Sequence, residues 1–141
     1  MDARDFLKRP TRIYGDIVTL QERIENLRMN MLPKAISYDK DRVQTSPQDP
    51  MPDFAAKIDE LDRELVGRMK DYENAQDDVQ DVIRQVNNAD AREVLAKRYL
   101  GQKSWRSIER DMYLCDRQIY RIHLAGLSAV EKILRYGKDV I

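Results

Sequence analysis

The chain has 141 residues, 42% of them hydrophobic and 35% charged, with a formal charge of zero, which is enough apolar material for one small domain and an appendage. Five glycines and five prolines are few for a protein of short strands, and no apolar run approaches the roughly 18 residues of a membrane span, so an all-α protein away from the bilayer is expected. Cys115 is the single cysteine, which excludes an internal disulfide, and MDARDFLKRP lacks the apolar stretch of a signal peptide, so the expected location is the cytoplasm.

Charge is unevenly distributed. Residues 1–90 carry 14 Lys or Arg against 19 Asp or Glu, whereas residues 91–141 carry 11 against 6. Such a split fits a basic C-terminal module that meets an anionic partner, joined to an acidic arm.

In chain order, Ala3 to Arg9 predicts a short helix interrupted by Pro10, with Thr11 as a fresh cap. From there Ile13, Ile17, Leu20, Ile24, Leu27 and Met31 recur at 4-3-4-3-4 spacing, a heptad seam that should end near Leu32, before Pro33. Residues 33–52 hold four of the five prolines and read as a long, mobile loop in which Ile36, Tyr38 and Val43 could touch down. Asp53 to about Asn87 predicts the longest helix, about 50 Å at 1.5 Å per residue, with Phe54, Ile58, Leu61, Leu65, Met69 and Tyr72 along its seam. The two long helices should pair as an antiparallel, coiled-coil-like hairpin. The longer one would leave part of its seam uncovered, so Ile58, Leu61, Leu65, Met69 and Tyr72 are candidate oligomerisation residues of a homodimer, unless that seam closes back on the C-terminal helices. The expected division is an arm at 1–88 and a second domain at 89–141, opened by Asp90 as a cap and with Gly101 ending its first helix.

The second domain carries the chemistry. Ser104 starts a helix bearing Trp105, Ile108 and Met112; the phase breaks at Tyr113-Leu114-Cys115; then Cys115 or Asp116 caps a helix with the stripe Ile119, Ile122, Gly126, Val130 and Ile133. Leu114, apolar in the middle of the turn, would wedge between the helices and fix their angle, as in a helix-turn-helix. The outward residues of the second helix, Asp116, Arg117, Gln118, Tyr120, Arg121 and His123, are of the types that meet base edges and phosphates, although a solvated charged face has the same look. His123 also suits a half-packed place, Tyr120 a surface-packing role, and Trp105 the core.

These residues resemble region 4 of the bacterial sigma-70 family and its phage relatives. Arg92-Glu93-Val94-Leu95, Arg98-Tyr99-Leu100-Gly101 and Ser104-Trp105-Arg106-Ser107-Ile108 follow the family pattern, Met112 stands at its phenylalanine and Leu114 at its valine. Cys115 to Ile122 matches its recognition helix without gaps, so the resemblance covers about the last third of the chain. The overall plan is similar to the RinA/ArpU group of small phage late-gene activators. The resemblance places Asp116, Arg117 and Arg121 at base-contacting positions, and Gln118 and Tyr120 where the family has phosphate-contacting arginines, a departure that weakens the sequence-independent term. It implies a transcription activator that meets host RNA polymerase in the bacterial cell.

The expected function is therefore sequence-specific binding of double-stranded DNA by a dimer, the helix from about residue 116 lying in the major groove. Arg117 and Arg121 would read guanine or phosphate, Asp116 would accept from cytosine or cap the helix, and Gln118 suits adenine. Lys103, Arg106, Arg110 and Arg135 would hold the backbone, with His123 as a further contact. A phage terminase small subunit, which forms a larger ring, and a helical adaptor that binds protein alone are the alternatives. With one histidine and one cysteine there is no zinc ligand set, and no phosphate-binding glycine loop, G-x-S-x-G or HExxH occurs, so neither enzyme activity, cofactor, metal nor small-molecule substrate is expected.

Overall fold

The computed structural model describes residues 2–36 and 51–137, the side chains of 32–36 excepted. Among these residues the fold is all-α, without a strand: α1 (Ala3–Ile36), α2 (Met51–Arg84), α3 (Ala89–Leu95) continuing into a π-helical turn (Ala96–Leu100), α4 (Trp105–Met112) and α5 (Asp116–Tyr136). Among the described residues no helix is long and apolar enough to cross a membrane.

α1 corrects the expected break at Pro10, because one helix runs through that residue and through Pro33. A proline inside a helix removes one backbone hydrogen bond and crowds the preceding turn, at a cost of about 3 kcal/mol. Packing offsets it: Ala3, Phe6, Leu7 and Pro10 lie on one face and are all buried, Leu7 completely. Burying a side chain such as Leu or Phe contributes about 1.5–3 kcal/mol. Of the expected loop at 33–52, residues 33–36 and 51–52 are helical, and Tyr38 and Val43 lie outside the described residues.

The chain divides into two compact units. One comprises Met1–Ile13 and Asp71–Ile141, so α3, α4 and α5 share a unit with the first turns of α1 and the last turns of α2. Its core joins Ala3, Phe6 and Leu7 to Val79, Ile83 and Val86, to Ala91 and Leu95, and to Leu127 and Val130 of α5. Gly126 allows the closest approach in that core: a Cβ there would lie 3.1 Å from Leu95.

The other unit, Tyr14–Lys70, is centred on Leu20, Ile24 and Leu61, with Leu27, Ile58 and Leu65 packed against them. The heptad reading of α1 holds: Ile17, Leu20 and Ile24 of this unit are buried and Leu27 and Met31 half-buried, as is Ile13, the last α1 residue of the other unit. The expected oligomerisation seam is corrected in part. Leu61 is 1% exposed, and Ile58 and Leu65 pack against the same α1 residues, because the two apolar seams satisfy one another within the chain. Met69 is exposed, whereas Tyr72 is half-buried and its hydroxyl accepts a hydrogen bond from Gln76 Nε2 at 2.8 Å.

Two helix-end assignments also change. Asn88, not Asp90, caps α3, its Oδ1 accepting from the Ala91 amide at 3.1 Å. Arg92 fixes the joint by donating to the carbonyls of Val86 at 2.6 Å and Asn87 at 3.0 Å. Gly101 is not the left-handed residue that closes the helix: its φ is −83°, and Gln102 takes the positive φ of 54°. The π-turn explains the glycine differently. The Gly101 amide reaches back five residues to the Ala96 carbonyl at 2.9 Å, and a Cβ on Gly101 would come within 2.9 Å of the Lys97 carbonyl oxygen.

Candidate nucleic-acid interface

The local sequence builds two helices, α4 and α5, joined by a short turn. Ser104 is extended and its Oγ accepts from the Ser107 amide at 3.2 Å, which satisfies a free donor at the start of α4. Tyr113 ends α4 in the left-handed conformation, φ 56° and ψ 41°, with its amide on the Glu109 carbonyl. Leu114 then packs with Trp105, Met112 and Ile122 against Val94, Ile108 and Ile119, all three at most 2% exposed. The turn residue is thus packed against the core that α3, α4 and α5 share. Cys115 is the N-cap of α5, and Gln118 Oε1 accepts from the Cys115 amide at 3.0 Å. Gln118 is exposed, but its carbonyl oxygen is already engaged in capping.

Asp116, Arg117, Tyr120 and Arg121 lie exposed on the first turns of α5, and Arg106 and Arg110 lie exposed on α4. Arg117 and Arg121, four residues apart, share a helix face. Among the described residues none of these four arginines forms an ion pair or a side-chain hydrogen bond, in contrast to the basic groups nearby. An unpaired guanidinium retains all five donors for a phosphate or a guanine edge.

Three expected contact residues already have partners within the chain. Lys103 is tied down: its Nζ is 2.6 Å from Asp111 Oδ2, and Lys97 is 3.4 Å from the same oxygen. The Lys103 hydrogen bond, with the charges of Lys103 and Lys97, holds the Asp111 carboxyl below its usual range. Arg135 pairs with Glu131 at 3.9 Å and stands about 27 Å along α5 from Arg117 at 1.5 Å per residue, too far to join its contacts in one groove.

His123 is the third. Its position falls on the apolar stripe one residue past Ile122, so it turns inward and is 7% exposed. Its Nε2 is 2.7 Å from the Tyr99 hydroxyl, its ring stacks on Tyr99 at 5.8 Å between centroids, and it meets Trp105 edge-on at 4.8 Å. Burial, reinforced by the charges of Arg4, Arg98 and Lys8, pushes the imidazole from its ordinary 6.5 down to about 4. Burial likewise raises the Tyr99 phenol, against the opposing charges of Arg4 and Arg98. His123 is a buried group whose ring is engaged by Tyr99 and Trp105.

The structure adds residues that the sequence reading assigned to the arm. Arg4 joins Trp105, Glu109, Asp116, Ile119, Tyr120 and His123 around a hollow of about 290 Å³ beside the start of α5. Tyr113, 93% exposed in the turn, is a further aromatic next to the arginines. The recurrence of Arg4, Lys8 and Arg12 every four residues was a visible sign of a basic face on α1, although nothing in it says that this face lies beside α4 and α5. Comparison of the chain with family models, with curated proteins and with solved structures finds no match.

Proposed function

We propose that the chain is a sequence-specific DNA-binding transcription regulator, not an enzyme, that places the first turns of α5 in the major groove. The observation that carries this reading is the pair Arg117 and Arg121, exposed on the face of α5 that a packed helix-turn-helix turns outward and unpaired among the described residues. Arg117 and Arg121 read base edges, Asp116 and Tyr120 flank them, and Arg106 and Arg110 hold the backbone strand that α4 crosses. The resemblance to sigma-70 region 4 favours late-gene activation in a phage or prophage, with contact to host RNA polymerase. Self-association would run through what the arm leaves exposed, Met69 included, because two recognition helices are needed to span two half-sites.

Fluorescence anisotropy with duplex fragments from the neighbouring genome, at two salt concentrations, tests the proposal. Tight binding to one fragment that persists at the higher salt supports a sequence-specific reader. Absence of binding to every fragment at low salt refutes it and leaves α4 and α5 as a protein-docking hairpin.

A further inference from the structure

A basic concavity in the unit that contains α4 and α5 is formed in part by another element, α1. Lys8, Thr11 and Arg12 of α1 face Arg98, Tyr99 and Gln102 across a hollow of about 320 Å³ whose lining includes no carboxylate. With Arg4, the α1 residues recur at three- and four-residue spacing and so form one basic edge, while Phe6, Leu7 and Pro10 turn into the core. Opposite them, Arg98 is held in place. Its Nη1 donates to the Lys103 carbonyl at 3.0 Å, and its guanidinium carbon lies 4.5 Å from the Trp105 ring centroid. The Lys103 carbonyl immediately precedes Ser104, the N-cap of α4, so the hollow opens at the entry to the first helix of the helix-turn-helix.

We propose that this hollow binds a phosphodiester of the DNA backbone, so that the footprint extends from α4 and α5 onto the first turns of α1. The proposal rests on the DNA-binding reading above. Arg98 supplies a preorganised guanidinium, Lys8 an ammonium without an ion pair among the described residues, and Thr11 and Gln102 neutral donors. Arg12 is shared with Asp5, 3.2 Å away, which competes with a phosphate for it. A small phosphorylated ligand has the same chemistry. The backbone is the better fit because the first helix of such a motif crosses it, and because Arg106, exposed and unpaired, continues the basic row beyond Ser104.

The test is the slope of log Kd against log salt for the full chain, with Lys8→Gln/Arg12→Gln and Asp5→Asn as variants. Each phosphate neutralised contributes about 0.9 to that slope, so the double variant, which strips Lys8 and Arg12 from the one phosphate, is expected to flatten it by about 0.9 on specific and random duplexes alike. Asp5→Asn, which releases Arg12, is expected to tighten binding, a gain that misfolding cannot imitate. An unchanged slope in the double variant, while Arg117→Ala still weakens binding, overturns the α1 contact and leaves the DNA reading standing. Absence of wild-type binding to any duplex overturns both. A thermal shift with inorganic phosphate that the double variant loses, together with an unchanged duplex slope, assigns the hollow to a small phosphate ligand and also overturns the proposal.

Discussion

Replacing His123 with glutamine separates a titrating core group from a surface contact. The imidazole is 7% exposed, and burial, with Arg4, Arg98 and Lys8 around it, lowers it to about 4 in the folded protein against 6.5 in the unfolded chain. Because the folded value is depressed, the unfolded state binds the proton first as pH falls. The associated stability is complete above pH 6.5 and is lost progressively down to about pH 4. At 1.36 kcal/mol per pH unit, the full loss is about 3 kcal/mol, of which about 2.5 kcal/mol is reached at pH 4.5. Urea unfolding at pH 7 and pH 4.5 measures it. Glutamine keeps an acceptor for the Tyr99 hydroxyl and cannot titrate in this range, so the variant is expected to lose about 2.5 kcal/mol less between those two pH values than the wild type, whatever its stability at pH 7. The same pH dependence in both proteins would refute a buried, neutral His123.

Gly126→Ala sets a Cβ 3.1 Å from Leu95, itself fully buried, and the clash is expected to exceed the helix gain and lower stability by about 1 kcal/mol in thermal unfolding. Gly15→Ala meets nothing within 4 Å inside α1 and should raise stability by about 0.5–1 kcal/mol, so equal effects at the two sites would contradict the packing described. Ser104→Ala removes the cap on the Ser107 amide and should cost about 1 kcal/mol by the same measurement. Asp111→Asn frees Lys103 and Lys97; duplex affinity by anisotropy is expected to rise at low salt, and a fall would argue against a nearby phosphate strand. Arg117→Ala should weaken the cognate duplex by about 1–3 kcal/mol and relax selectivity at one position, whereas uniform loss on all sequences would make it a phosphate contact.

The α4 and α5 helices and the turn between them could be seen in the sequence because their signals are local: a serine cap, an apolar residue alone in a polar turn, and stripes at helical spacing. Ser104, Leu114 and Ile119 each take the place that their neighbours imply. Pro10 and His123 misled for the opposite reason. Pro10 is a helix breaker by its own chemistry, and only the core around it makes the uninterrupted helix favourable. His123 looked like a contact because polar residues usually face water, yet its register on α5 aims it at Tyr99, about a helix and a half away in sequence. Gly101 carried a true signal for a tight place, but the reason was a carbonyl beneath it, produced by a π-turn that has no sequence signature of its own. The paired seams of α1 and α2 were legible, and which surface buried Leu61 was not, since an apolar stripe records that it needs cover without recording whose.

That Leu7 and Val130 share one core also governs how the protein is made. At about 5–20 residues per second, the ribosome finishes Val130 some 6–25 seconds after Leu7, and the first turns of α1 must wait that long for their partners. The Tyr14–Lys70 unit lies between them, and its own contacts can close meanwhile, which shortens the chain separation that the two ends must bridge. During that interval Phe6, Leu7 and Pro10 are exposed on the nascent chain, a window in which a chaperone or a neighbouring polysome product could engage them.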